Sequence, residues 1–124
     1  MAKVIVHTNK APQPSGPYSQ AVKSGGFVFV AGQGPIDPQT GKIVGATIQE
    51  QTAQSLKNIA AILKAAGSSL EKAVSATFIL ADSDDFAGMN EEWAKWFPAG
   101  GPARQGAQLP RTGIKISIAL IVEA

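Results

Sequence analysis

The chain contains no cysteine, a single histidine (His7) and a single tyrosine (Tyr18) among its 124 residues. Without a thiol there is no disulfide, no thiolate nucleophile and no cysteine-held zinc, and one imidazole supplies at most one metal ligand or one base. Cysteine catalysis, structural zinc and histidine-rich metal catalysis are excluded on these grounds. Charge of one sign is equally sparse: 11 Lys and Arg stand against 9 Asp and Glu, a net +2, and the basic residues occur singly from Lys3 to Lys115. A sequence pI near 9.0 without a basic run gives nucleic-acid binding little support. Long apolar runs are missing too. The amino-terminal one spans three residues, Val4-Ile-Val6, and the longest later one runs from Ile118 to Val122, far below the ~18 residues that span a bilayer. No membrane anchor or targeting segment is expected, and the expected location is cytoplasmic.

What is present reads as one domain over residues 1–124, because a chain of this length buries roughly two thirds of its unfolded surface without staples. Residues 3–8 and 18–23 read as short strands around Ala11-Pro-Gln-Pro-Ser-Gly-Pro17, a stiff loop that delivers Tyr18 to a defined place. The β-branched and aromatic run at 27–31 reads as a strand buried on both faces, followed by a turn-rich loop at 34–41. Thr47 and Glu50 have capping-box spacing, and Leu56, Ile59, Ala60 and Leu63 continue at helical spacing until Gly67 stops the helix. A nearly all-apolar strand is predicted at 73–81. A second helix opens at Ser83 with Phe86, Met89 and Trp93 on one face, and Pro98-Ala-Gly-Gly-Pro102 breaks it. Two further strands are predicted at 103–108 and 113–122.

Six strands and two helices in this order give a two-layer α/β sandwich. Two helices cover only one face of such a sheet, yet 27–31 and 73–81 are apolar on both. The bare face needs a cover, and a second copy of the same chain is the simplest one. A homo-oligomer is predicted from this mismatch alone.

Several segments, in order and spacing, resemble the Rid (YjgF) family of reactive-intermediate deaminases: Gly16-Pro-Tyr-Ser-Gln-Ala21, Val28-Phe-Val-Ala-Gly-Gln33 with Pro35, Asp37-Pro-Gln-Thr-Gly41, Gln51-Thr52, Ala65-Ala-Gly67, Asp85-Phe86 with Met89-Asn-Glu91, and Pro102-Ala-Arg104. The resemblance covers nearly the whole chain. It implies an α+β two-layer sandwich of the chorismate-mutase-like (YjgF-like) type, a mixed six-stranded sheet with two helices on one face, assembled as a homotrimer around a central barrel with clefts between subunits. It also implies hydrolysis of 2-imino acids such as 2-iminopropanoate and 2-iminobutanoate to 2-oxo acids and ammonia, without cofactor or metal, so that the expected partner is a small carboxylate metabolite.

Such a substrate needs a fixed cation for its carboxylate, donors near the nitrogen and a placed water. Arg104 is the obvious cation, since its planar fork takes a carboxylate through two parallel bonds, and the resemblance assigns it that role. The resemblance further places Tyr18 in the cleft as a catalytic and binding residue, and Gly32, Asn90 and Gly106 as substrate-binding positions. Two departures stand out. Ala31-Gly32-Gln33 occupies the place of a frequent Ser-Gly-Gln, and the glutamate expected to activate water falls on Ser117 by one alignment and Ala119 by another. Ser117 remains able to orient a water by hydrogen bonding, so weak catalysis or a non-catalytic metabolite-binding role are both expected outcomes; an RNA-directed or translation-inhibiting role is a third. A serine hydrolase is rejected because no nucleophile-elbow motif accompanies His7. Gly32-Gln-Gly34 lacks the spacing of a phosphate loop, and at least one of Trp93 and Trp96 is expected to pack rather than stack on a base.

Overall fold

The computed structural model describes residues 2–110 and 113–124. Strands β1 (Val4–Val6), β2 (Ala21–Ser24), β3 (Phe27–Gln33), β4 (Ala73–Leu80), β5 (Ala103–Gln108) and β6 (Ile116–Glu123) form one sheet in the order β1-β2-β3-β6-β4-β5. Every neighbouring pair is antiparallel except β4 and β5. That one parallel pair requires a crossover, which helix α2 (Phe86–Trp96) supplies; helix α1 (Ile48–Ala65) connects β3 to β4. The sheet is open, with β1 and β5 as its edges.

Thr47 and Glu50 cap α1 reciprocally, as the spacing predicts. Hydrogen bonds from the Thr47 and Ala46 N–H groups and the Thr47 hydroxyl hold the Glu50 carboxyl below its usual range. The cap's contribution is therefore full above the ordinary carboxyl pKa and is lost as pH falls through the depressed one. Leu56, Ile59, Ile62 and Leu63 are fully buried against the alternating inner residues of β3 and β6, among them Val28, Ile118, Leu120 and Val122. Helix α2 lies against α1, where Gly88 allows close approach because any side chain there would strike Ile48 and Gln49. Its Phe86 ring meets Phe78 of β4 at a centroid distance of 6.1 Å. Both helices thus cover the same face.

Several boundaries differ from the sequence reading. The strand expected from residue 18 begins at Ala21, because Tyr18 N–H turns back to the Gly16 carbonyl (2.8 Å) instead of joining a ladder. The helix expected from Ser83 begins with a 3-10 turn, Ser83–Asp85, and becomes α-helical at Phe86. The final strand starts at Ile116 and runs to Glu123; residues 111–112 lie outside the described residues. The run at 27–31 is buried on one face only: Val28 and Val30 point to the helices, while Phe29 is 44% exposed on the other side.

Two polar atoms inside α1 have no partner among the described residues. The hydroxyls of Thr52 and Ser55 are fully buried and make no hydrogen bond among the described residues. An unsatisfied buried polar group costs about 1–3 kcal/mol, so Ser55→Ala is expected to stabilise the fold by ~0.5–1 kcal/mol, read as a higher urea midpoint at unchanged m-value. A lower midpoint would contradict this reading of the core.

Candidate functional site

A cavity of about 640 Å³ opens where the 12–18 and 34–41 loops meet the end of β3 and the start of β6. Buried glutamine and asparagine side chains set its walls. Gln20 donates to the carbonyls of Thr8 and Pro12 (both 3.0 Å) and accepts from Thr8 N–H (2.7 Å), which pins the proline-rich loop. Asn58 on α1 donates to the Ile36 carbonyl (2.8 Å) and accepts from Gln54 (2.9 Å), holding the 34–41 loop. Gln51 spans from the Gly45 carbonyl (3.1 Å) to Lys115 N–H (2.8 Å). The sequence reading missed all three as positioning residues. For Gln51 and Asn58 the available signal was a polar residue on the otherwise apolar face of α1, since a buried amide demands partners; Gln20, in the loop before β2, carries no such signal.

Tyr18, Gly32 and Ser117 line this cavity together. Tyr18 is half exposed, and its phenol oxygen shares a hydrogen bond with the Ser15 hydroxyl (3.3 Å) and accepts from Ser15 N–H (3.2 Å). These two contacts, the hydroxyl first, lower its pKa from the ordinary tyrosine value. Gly32 falls in a β-bulge, where β3 carries one residue more than β6 between the Val30–Leu120 and Gln33–Ile118 pairs. A side chain at Gly32 would press on Ser117 Oγ, 3.0 Å from the position of its first carbon. Ser117 and Ala119 alternate with the buried Ile116, Ile118 and Leu120, so both alignments of the expected glutamate fall on the helix-free face and neither brings a carboxylate. Asp37 also lines the cavity, with one oxygen accepting Gln39 N–H at 2.8 Å in an Asx turn.

Arg104 lies elsewhere. On edge strand β5 it pairs in register with Ala76, a helix-side residue. Its guanidinium carbon sits over three aromatic rings, 4.9 Å from Trp93, 5.1 Å from Phe78 and 5.5 Å from Phe86. Burial among them lowers its pKa, yet an arginine stays charged at neutral pH. Among the described residues it has no salt bridge and no side-chain hydrogen bond; the ion pair found there is Lys95–Glu92 at 3.2 Å. Gly106, two residues on, faces Phe78 across the β4–β5 ladder, and any side chain there would collide with that ring. Packing therefore already accounts for this glycine. Asn90 shares the α2 stripe of Phe86 and Trp93, and its buried Oδ1 has no partner among the described residues.

The six candidates thus form two groups. Tyr18, Gly32 and Ser117 share the cavity, whereas Arg104, Gly106 and Asn90 belong to the β5–α2 corner and do not line it. Of the two tryptophans, Trp93 is buried and Trp96 bonds Glu92 through its indole N–H at 2.8 Å. His7 lies just beyond β1 and pairs with Gln13 at 2.6 Å. No group of three or more His, Cys, Asp and Glu side chains suited to a metal occurs among the described residues, and none of their helices is long and apolar enough to cross a membrane.

Known proteins resemble this chain over most of its length. A family model described as Endoribonuclease L-PSP matches residues 8–124. A RutC family protein of Pyrococcus abyssi is 52% identical over 111 residues, covering 90% of this chain and 87% of that one. A mouse (Mus musculus) protein named 2-iminobutanoate/2-iminopropanoate deaminase is 41% identical over 120 residues, covering 94% and 88%. The crystal structure of E. coli TdcF with bound serine superposes with a TM-score of 0.89 at 37% identity, covering 98% of each chain.

Proposed function

Given that the chain belongs to the Rid (YjgF) family, we propose that it binds small 2-imino and 2-oxo acids in clefts between the protomers of a cytoplasmic homotrimer, and that it hydrolyses 2-iminopropanoate and 2-iminobutanoate. The observation that carries the reading is Arg104: a desolvated guanidinium with no acidic partner among the described residues, offering its in-plane donors to an incoming carboxylate. The separation of the candidates supports a shared site. Arg104, with Asn90 nearby on α2, comes from one protomer, and the cavity with Tyr18, Gly32 and Ser117 comes from the next, with the bare sheet faces turned inward around a central barrel.

In this arrangement the carboxylate docks on Arg104 and the C=N carbon faces the partner cavity. Water adds to that carbon and its proton passes to the nitrogen. The resulting carbinolamine passes its hydroxyl proton to the amine nitrogen and breaks its C–N bond, so that ammonia leaves as the hydroxyl oxygen becomes the oxo group. Ser117 and Tyr18 orient the water by hydrogen bonding. A general base is worth about 10²–10⁴-fold, so a site with serine or alanine at the glutamate position works well below one that has it. That same feature favours a second reading, a binding protein that keeps the cleft without catalysis. An RNA-directed role gets no help from the cavity, whose lining residues include no Lys or Arg.

The test is the decay of 2-iminobutanoate generated in situ by a threonine dehydratase, with wild type, Arg104→Ala and Ser117→Glu, alongside the solution mass. The expected results are a particle three times 12.8 kDa and a wild-type acceleration that Arg104→Ala abolishes. No acceleration by wild type but a gain with Ser117→Glu supports the binding protein. A monomer that neither accelerates decay nor binds 2-oxobutanoate overturns both.

A further inference from the structure

We infer that Phe78, Phe86 and Trp93 form a positioning cage for Arg104, with Trp93 its principal wall, and that Gly106 is glycine because the cage needs the space. The inference rests on the proposed reading only for its functional consequence; the geometry stands without it. An arginine at a recognition site is usually steadied by an acid, and that acid then competes with the ligand for the guanidinium N–H groups. Here no acid among the described residues bonds Arg104. The rings take over the steadying. Attraction between a cation and aromatic rings needs no hydrogen-bond acceptor, so it restrains the group without adding a competitor for the five N–H donors that a carboxylate would take.

The sequence builds this from both elements that flank β5. Phe86 and Trp93 are two helical turns apart on α2 and so share one stripe. Phe78 reaches the guanidinium from β4, one pleat beyond Ala76, the register partner of Arg104. Its ring occupies the space that a side chain at Gly106 would need. Phe78 and Trp93 are themselves buried, at 8% and 7% exposure, so two of the three walls are fixed by the core. Trp93 is the nearest ring at 4.9 Å, and indole is the strongest of the aromatic faces for a cation. Phe97 backs it at a ring distance of 5.1 Å.

Two measurements test the cage. The first needs no ligand: the NMR signals of the Arg104 Nε–H and Cδ protons, shielded by the rings, are expected upfield in wild type and shifted toward ordinary arginine values in Trp93→Leu. The second is the affinity for 2-oxobutanoate, a stable product, followed by NMR titration so that millimolar binding is readable. Trp93→Leu is expected to weaken binding about tenfold and Trp93→Phe less than about threefold, since phenylalanine keeps an aromatic face. In an Arg104→Ala background, Trp93→Leu should add nothing. Unshifted Arg104 signals in Trp93→Leu, or an equal loss of affinity with and without Arg104, overturn the cage. Wild type failing to bind the oxo acid while its Arg104 signals are shielded sinks the proposed function and leaves the cage standing. Should Trp93→Leu not fold, the exposed Phe86→Leu carries the same comparison.

Discussion

Arg104→Ala is expected to lower kcat/KM for 2-iminobutanoate by about 10²–10³-fold while leaving the fold intact. Truncating one member of a desolvated, hydrogen-bonded charge pair costs about 2–5 kcal/mol, and each ~1.4 kcal/mol is tenfold. The loss should fall on binding and on the chemical step together, because a substrate without its carboxylate anchor is no longer aimed at the water. Arg104→Lys should recover little: an ammonium is a point charge that cannot match both carboxylate oxygens in one plane, nor spread over three rings. Stability should change far less than activity, since no acid among the described residues is orphaned by the substitution and the lost contacts are ring faces worth about 0.5–2 kcal/mol. Steady-state kinetics beside a urea titration separates the two effects. Activity within threefold of wild type, or a loss matched by unfolding, would remove Arg104 from the site.

The local part of this fold was legible in the sequence because it follows from short-range chemistry. Thr47 and Glu50 mark the start of α1 by their own hydrogen bonds, and the apolar alternation of Ile116, Ile118 and Leu120 fixes which way β6 faces. The mismatch between an apolar sheet and only two helices was also readable, and Phe29 and the half-buried Ile121 are where it lies. Tyr18 lies outside the strand that its sequence predicts because its own turn, closed by the Gly16 carbonyl and the Ser15 hydroxyl, depends on a loop whose shape is set by Gln20. The division of the candidate site was not legible at all. Whether Arg104 faces the helices or the open side depends on the β4–β5 register, a long-range pairing with no signature in either strand. The reason for Gly106 is hidden for the same cause: its neighbour is Phe78, 28 positions earlier.

A mixture of Arg104→Ala and Tyr18→Ala protomers should regain activity that neither variant has alone. If each site takes its guanidinium from one subunit and its cavity from the next, a site works when an Arg104-bearing protomer meets a Tyr18-bearing one. Random reassortment at equal amounts makes that true of about a quarter of the sites in a closed ring. The contact that would bring the halves together is the helix-free face. Ile5, Val22, Phe29 and Ile121 lie at successive cross-strand positions there, with Ile5 62% and Phe29 44% exposed. A contiguous apolar row of this kind on a small chain marks an interaction surface. Placing a charge in its middle with Ile121→Glu should therefore dissociate the assembly and remove the recovery, because a buried unpaired carboxylate costs several kcal/mol at each contact. Co-dissociation of the two single variants in mild urea, followed by joint refolding and the imine assay, gives the answer. Recovery near one quarter of wild type that disappears when both partners carry Ile121→Glu fits a site built across subunits. No recovery from a mixture shown by mass to have reassorted would put all the chemistry within one protomer, where Arg104 and the Tyr18 cavity lie apart.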